Sequence, residues 1–422
     1  MTKLTITQAS CADDYDPDSM PVDSARAFIH RFLDPVSATV RVPIRSALGR
    51  VLAEDVVSPV DVPSHRNSAM DGWAMRGSDL QPGAETTLDE IGSSFAGRPF
   101  AGRVGPGQCV RIMTGGVVPE GADTVVMQER AQADGKRVTF AAGQKTGQNL
   151  RQAGEDLRRG DVALAKGRIV RPADAGLLAS LGIGEVGVYR PLRVAFFSTG
   201  DELKSIGTAL GEGEIYDSNR YTIHGMLTRL GCEVLDMGVV RDDPALLERA
   251  FREAAANADV VITSGGVSVG EADFVKGLLG KLGEVVFWKI AMKPGRPLAY
   301  GKIGGAHFFG LPGNPVSVMV TFYQFVREAL LKLMGVDPVA AIPTFPATCT
   351  AKLRKAPGRT EFQRGILSRG TDGAWTVRPT GDQGSGILKS MSEANCFIIL
   401  GDAVGNVEAG TRVEVQLLEG IV

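Results

Sequence analysis

Four short segments of this chain combine glycine, proline, hydroxyl and acidic side chains more densely than a turn requires. They are STGDE from Ser198, SGGVSVGEAD from Ser264, LPGNP from Leu311 and KPGRP from Lys293. Backbone N–H groups in a glycine-rich turn ahead of a helix can hold a phosphate. Ser264, Gly265, Gly266, Ser268 and Gly270 form one such turn, and Pro312, Gly313, Asn314 and Pro315 form another. Lys293 and Arg296 would be presented to an anion by a rigid Pro-Gly loop. The nearby acids Glu202, Asp242, Asp243, Glu271 and Asp273 would repel that anion unless a divalent cation lies between them, and carboxylates beside phosphates are the usual seat of Mg2+. Each feature also has a plainer explanation. A glycine turn can be only a turn, and Asp243 before Pro244 and Asp273 at a helix start both have the form of helix caps. The expectation that all four loops meet at one sheet edge favours a phosphoryl or nucleotide site.

Further polar runs lie outside these loops. NSAMDGWA carries Asp71, RIMTGG carries Thr114 and RQAGED carries Asp156. Near the C-terminus EFQRG carries Arg364 and QGSG carries Ser385, a pair that could bind a second anion. No histidine is spaced to serve a serine or cysteine nucleophile, so a catalytic triad is not expected. Spacing alone leads to an Mg2+-dependent enzyme acting on a phosphorylated ligand.

The elements that must position these residues change character along the chain. Residues 22–58 carry a helical pattern and a second short one ending near Gly49, and residues 59–149 are short apolar runs cut by Gly and Pro. Residues 150–189 return to mixed structure, so 22–58 and 150–189 read as one scaffold interrupted by a β-rich module. From 190 to 338 strands alternate with helices, which implies a parallel sheet covered on both faces. The helix starts in this unit are expected at Tyr221, Asp243, Ala272 and Val316. Residues 339–422 are strand-like again and read as a C-terminal β domain. Residues 1–21, rich in Asp from Asp13 to Asp18, read as a disordered, solvated tail.

Composition bounds the function. The 46 basic and 48 acidic side chains leave a net charge of −2, which argues against nucleic-acid or polybasic membrane binding. With 44% hydrophobic and 22% charged residues the chain is globular. Glycine, 53 of 422 residues, is well above the usual ~7%, as expected for many tight turns or close backbone approaches to a ligand. The five scattered cysteines include no CxxC pair, and no apolar leader or span of ~20 residues occurs, so a reducing, cytoplasmic setting is expected.

PVDVPSHRNSAMDGWAMR, RIMTGGVVPEGADTVVMQE, RQAGEDL, STGDEL, TSGGVSVGEADF, FWKIAMKPGRPLAYGK, GLPGNPVS and EFQRG follow one another in this order. Together they closely resemble the molybdopterin molybdenumtransferase family, the bacterial MoeA proteins and the E domain of gephyrin. The resemblance runs from about residue 22 to the C-terminus. It implies an elongated four-domain homodimer of multidomain α/β plus β class, with an α/β domain of the molybdopterin-binding type. The implied reaction inserts molybdate into adenylylated molybdopterin with Mg2+-dependent release of AMP. The family's functional acids fall on Asp71, Asp156, Glu202, Asp242 and Asp273, with Thr114 beside them, its prolines on Pro312 and Pro315, and its basic pair on Lys293 and Arg296. Trp73 stands where Tyr is frequent and Arg296 where Lys is frequent. The expectation is then molybdate on Lys293, Arg296, Arg364 and Ser385, adenylate on SGGVSVG, and Mg2+ on Asp242 and Asp273. Transient contact with the molybdopterin adenylyltransferase and with apo-molybdoenzymes would follow. Adenylyltransferase activity, a gephyrin-like scaffold role and a preference for tungstate stay open.

Overall fold

The computed structural model describes residues 4–13, 16, 18–36, 38–266 and 272–418, with the side chains of residues 11, 12 and 272–274 left out. Its central domain is built on β1 (Arg193–Thr199), a strand of small and apolar residues after Arg193, whose successive side chains face opposite ways. Val194 and Phe196 join one buried cluster, and Ala195 and Phe197 join another on the far side. A strand buried on both faces has no room for polar alternation, which is why RVAFF reads as a continuous apolar run.

The chain leaves β1 for helix α1 (Ser218–Arg229), returns through β2 (Glu233–Val240), and crosses by α2 (Pro244–Asn257) to β3 (Val260–Ser264). It continues through α3 (Ala272–Leu282), β4 (Gly283–Lys289), β5 (Pro297–Ile303), β6 (Ala306–Leu311) and α4 (Pro315–Thr321). The strand order is β2-β1-β3-β6-β5-β4. The first four run parallel, but β5 pairs antiparallel with both β6 and β4. The wholly parallel sheet expected from alternation is therefore corrected to a mixed one. The missed strand, PLAYGKI, is separated from its neighbours by short loops with no helix. The chain turns left from β1 and right from β3, so the sheet's switch point lies between their carboxyl ends.

The β-rich module is a six-stranded sheet that includes Gly72–Met75, Gln108–Ile112 and Thr124–Met127. The scaffold is tied by antiparallel pairs such as Thr39–Pro43 with Glu185–Tyr189. The second short helical pattern is thus a strand, followed only by a 3-10 turn at Ile44–Ser46. In the C-terminal domain Thr360–Arg369 pairs with both Trp375–Pro379 and Cys396–Leu400, and this closes a barrel. Met292–Lys293, from the α/β domain, adds to the same strand.

The solvated-tail expectation is also corrected. Residues Ile6–Ala12 form a helix with a Thr5 capping box, and Ile6 and Ala9 are buried. Ile6 N–H donates to Glu284 at 2.9 Å, Met20 bridges to Ile290, and Lys289 Nζ lies 2.6 Å from Asp18. The Asp-rich composition concealed a short apolar stripe that covers the sheet's edge strand β4.

Candidate functional site

At the switch point a cavity of about 590 Å3 opens between the ends of β1, β3 and β6. Thr199, Gly200 and Glu202 line it from the first loop, Ser264, Gly265 and Gly266 from the second, and Gly313, Asn314 and Pro315 from the third. The backbones approach closely here. Gly265 has φ +93°, and a Cβ on it would lie 2.5 Å from the Thr199 carbonyl oxygen, so only glycine fits. Gly265 N–H donates to the Leu311 carbonyl at 3.1 Å and fixes the second loop against the third.

Two further segments complete the wall. Ile215–Tyr216 pairs in parallel with Leu203–Lys204, which carries residues 215–219 back under the end of β1. Asp217 then caps α1 by accepting from Arg220 N–H at 3.1 Å. Asn219, two residues on, donates from Nδ2 to Ser264 Oγ at 2.8 Å and to the Gly313 carbonyl at 2.6 Å. Ser264 Oγ donates in turn to the Pro312 carbonyl at 3.3 Å. From the C-terminal domain Gly386 and Leu388 reach the cavity, beside Ser385, whose carbonyl accepts from Val316 N–H at 3.1 Å. Sequence reasoning missed Asp217 and Asn219 because it began the helix at Tyr221. The signal was present: an Asp followed by a helical pattern is an N-cap candidate.

The cavity's electrostatics are one-sided. Glu202, Asp217 and Asp242 line it, and among the described residues no Lys or Arg does. Asp243 is the helix cap its context suggests, accepting from Ala245 and Leu246 N–H at 2.9 Å each. Among the described residues no group of three His, Cys, Asp or Glu is close enough to hold a metal by itself. The expected Ser268, Gly270 and Glu271 lie outside the described residues. Asp273 lies in the first turn of α3, and its side chain is outside them too.

The fourth loop does not join the other three. Its strand, β4, sits at the sheet's far edge, and neither Lys293 nor Arg296 lines the cavity. Lys293 Nζ lies 3.4 Å from the buried Glu361, and Arg296 donates to the Asp18 carbonyl at 3.2 Å. Arg364, 1% exposed, is not an open fork either. Its Nε donates to Ser390 Oγ at 2.9 Å and its Nη2 to the Gly384 carbonyl at 2.9 Å, so it holds the turn that ends at the cavity. Burial pulls this guanidinium down to about 10, which leaves it cationic at neutral pH.

The remaining expected residues stand in the β module and its stem. Asp71 Oδ1 accepts from both Thr114 N–H and Thr114 Oγ1, and Arg111, stacked 4.1 Å over the Trp73 ring, adds positive potential. Asp156 N–H donates to the Val62 carbonyl at 3.0 Å where the module joins the scaffold. None of Asp71, Thr114 and Asp156 lines the cavity of its own chain.

Comparison with known proteins agrees with this layout. Residues 20–182 match the MoeA N-terminal region (domain I and II), 195–332 a probable molybdopterin binding domain, and 346–418 the MoeA C-terminal region (domain IV). The chain is 48% identical over 399 residues to the molybdopterin molybdenumtransferase of Haemophilus influenzae, covering 94% of this chain and 98% of that protein. It is 37% identical over 386 residues to molybdopterin molybdenumtransferase 2 of Mycobacterium tuberculosis, covering 89% and 94%. The solved molybdopterin biosynthesis MoeA protein of Pyrococcus horikoshii superposes with a TM-score of 0.82 at 29% identity, covering 95% of this chain and all of that one. The three-part match along the chain and the extent of these similarities establish that it belongs to the molybdopterin molybdenumtransferase family, the MoeA proteins.

Proposed function

We propose that this protein inserts molybdate into adenylylated molybdopterin and releases AMP, and that the adenylate binds in the switch-point cavity. The observation that carries this reading is the cavity's chemistry. Glycine-rich loops after β3 and before α4 offer backbone N–H groups to phosphate, yet the charged residues around them are acids. Such a lining accepts a phosphate only together with a cation. The donor set fits Mg2+, which usually takes one or two carboxylates and fills its other positions with phosphate oxygens and water. Asp242, with Asp273, would hold it, and it would neutralise charge on the phosphoanhydride. Breaking that bond with water yields AMP and the pterin phosphate, and alignment and neutralisation matter more than a protein nucleophile.

In this reading the oxyanion binds outside the adenylate cavity. Lys293 and Arg296 supply positive charge, Ser385 supplies a hydroxyl, and Arg364 holds the turn that carries Ser385. Asp71 and Thr114 act from the β module, and Asp156 from the junction of module and scaffold, of the partner subunit in a homodimer, since all three lie away from their own chain's cavity. The enzyme works in the cytoplasm, receives its pterin from an adenylyltransferase and passes the product to apo-molybdoenzymes by transient contact.

The decisive test supplies adenylylated molybdopterin, Mg2+ and either molybdate or tungstate, and follows AMP by chromatography. AMP release that needs both Mg2+ and the oxyanion is expected. Pyrophosphate release from ATP and molybdopterin, with no oxyanion-dependent AMP, would instead assign the adenylyltransferase step.

A further inference from the structure

Four buried polar atoms at the end of β1 and the start of α1 have no hydrogen-bond partner among the described residues: Ser198 Oγ, Thr199 Oγ1, Asp217 Oδ2 and Asn219 Oδ1. Thr199, Asp217 and Asn219 all line the cavity, and they are only 7%, 3% and 7% exposed. The orientation of Asn219 is set by its neighbours. Its Nδ2 faces two acceptors, Ser264 Oγ and the Gly313 carbonyl, and a flipped amide would place oxygen against the carbonyl oxygen. The amide therefore spends its donors on the protein and keeps its acceptor in reserve. Asp217 is divided the same way, with Oδ1 on the helix cap and Oδ2 unpartnered. Two buried acceptors without donors demand a donor, and a bound ligand can provide one.

We propose that Asn219 is a positioning residue that locks residues 264–266 to residues 312–313 and, together with Asp217, reads a hydrogen-bond donor on the nucleotide. This rests on the nucleotide reading of the cavity and adds to it the group that is recognised. Phosphate oxygens cannot satisfy these acceptors. The donor belongs to the neutral part of the ligand, either a sugar hydroxyl or the amino group of the base. The same amide joins α1, the end of β3 and the loop after β6, so recognition of that donor is coupled to the spacing of the two phosphate loops.

The test measures binding of AMP, 2′-deoxy-AMP and inosine monophosphate to the full-length protein by calorimetry with Mg2+ present. One analogue should bind at least tenfold more weakly than AMP: the deoxy analogue if the donor is the sugar hydroxyl, the inosine nucleotide if it is the amino group. In Asn219→Ala the affinity for AMP should fall at least tenfold and the discrimination between AMP and that analogue should disappear. Asp217→Asn keeps a capping oxygen but replaces the spare acceptor with an amide group, and should weaken AMP binding similarly with an unchanged melting temperature. A purely structural role would lower the melting temperature of Asn219→Ala and leave discrimination intact, which would overturn the assignment. Equal binding of all three nucleotides to the unaltered protein would overturn it without touching the nucleotide reading. No binding of AMP at all would overturn both.

Discussion

Asp71 Oδ1 accepts two hydrogen bonds from one residue, the backbone N–H and the hydroxyl of Thr114, each at 2.7 Å. These bonds, the backbone one foremost, hold the Asp71 carboxyl below the ordinary carboxylate range, against a smaller opposing effect of burial. A carboxylate with a depressed pKa stabilises the folded state above the unfolded value of 3.8, and that contribution is lost as pH falls through the folded value. Thr114→Val removes the hydroxyl and keeps the N–H, so the Asp71 pKa should rise part of the way toward 3.8. Carboxyl NMR titration reads this directly, and an unmoved titration would show that the hydroxyl contributes nothing.

The separation of Asp71 from the cavity leads to a complementation experiment. In the homodimer proposed above, Asp71→Asn and Asp242→Asn should each abolish AMP release. Mixed dimers formed by refolding the two together should regain one working site, because a two-fold assembly puts both substitutions in one cleft and neither in the other. Mixed dimers that stay inactive would place the whole site within one chain.

Arg364 and Lys293 should part company when each is replaced by alanine. Arg364→Ala leaves the buried Ser390 and Gly384 groups without their charged donor, and at roughly 1.5–3 kcal/mol for a charge-assisted bond it should lower barrel stability by about 3 kcal/mol. Lys293 is half exposed, so losing its pair with Glu361 should change stability by less than about 1 kcal/mol. Both variants should need about tenfold more molybdate for half-maximal turnover. Denaturant titration beside an oxyanion titration separates the two effects. A stable Arg364→Ala variant would contradict the role given to its hydrogen bonds.

His307, on β6, lies beside Tyr300, and burial pushes its imidazole down to about 4. The sign follows from proton counts. Between 6.5 and about 4 the unfolded chain binds a proton that the folded one does not, so stability falls as pH drops through that window. The full loss is roughly 3 kcal/mol at 1.36 kcal/mol per unit. His307→Gln should flatten the melting temperature between pH 6.5 and 4.5, and an unchanged slope would assign the acid sensitivity to other groups.

Local pattern made the layout of this protein readable. Strand β1 is apolar from Val194 to Phe197 because both of its faces are buried there, and the start of α2 follows from an Asp before a Pro, which is a local hydrogen-bond arrangement. Three of the four glycine-rich loops do meet, because parallel strands bring their carboxyl ends to one edge. The ordered motifs carried the family as well. What the chain could not declare by itself depended on contacts between distant residues. Only tertiary packing placed β4 at the far edge and left Lys293 and Arg296 beside Glu361 and Asp18. Burial turned Arg364 from an open anion fork into the support of a turn, and an apolar stripe docked the N-terminal helix that composition marked as a tail. Asn219 is the sharpest case. Its partners Ser264 and Gly313 are 45 and 94 residues away, and a hydrogen bond at that separation leaves no local periodicity to read.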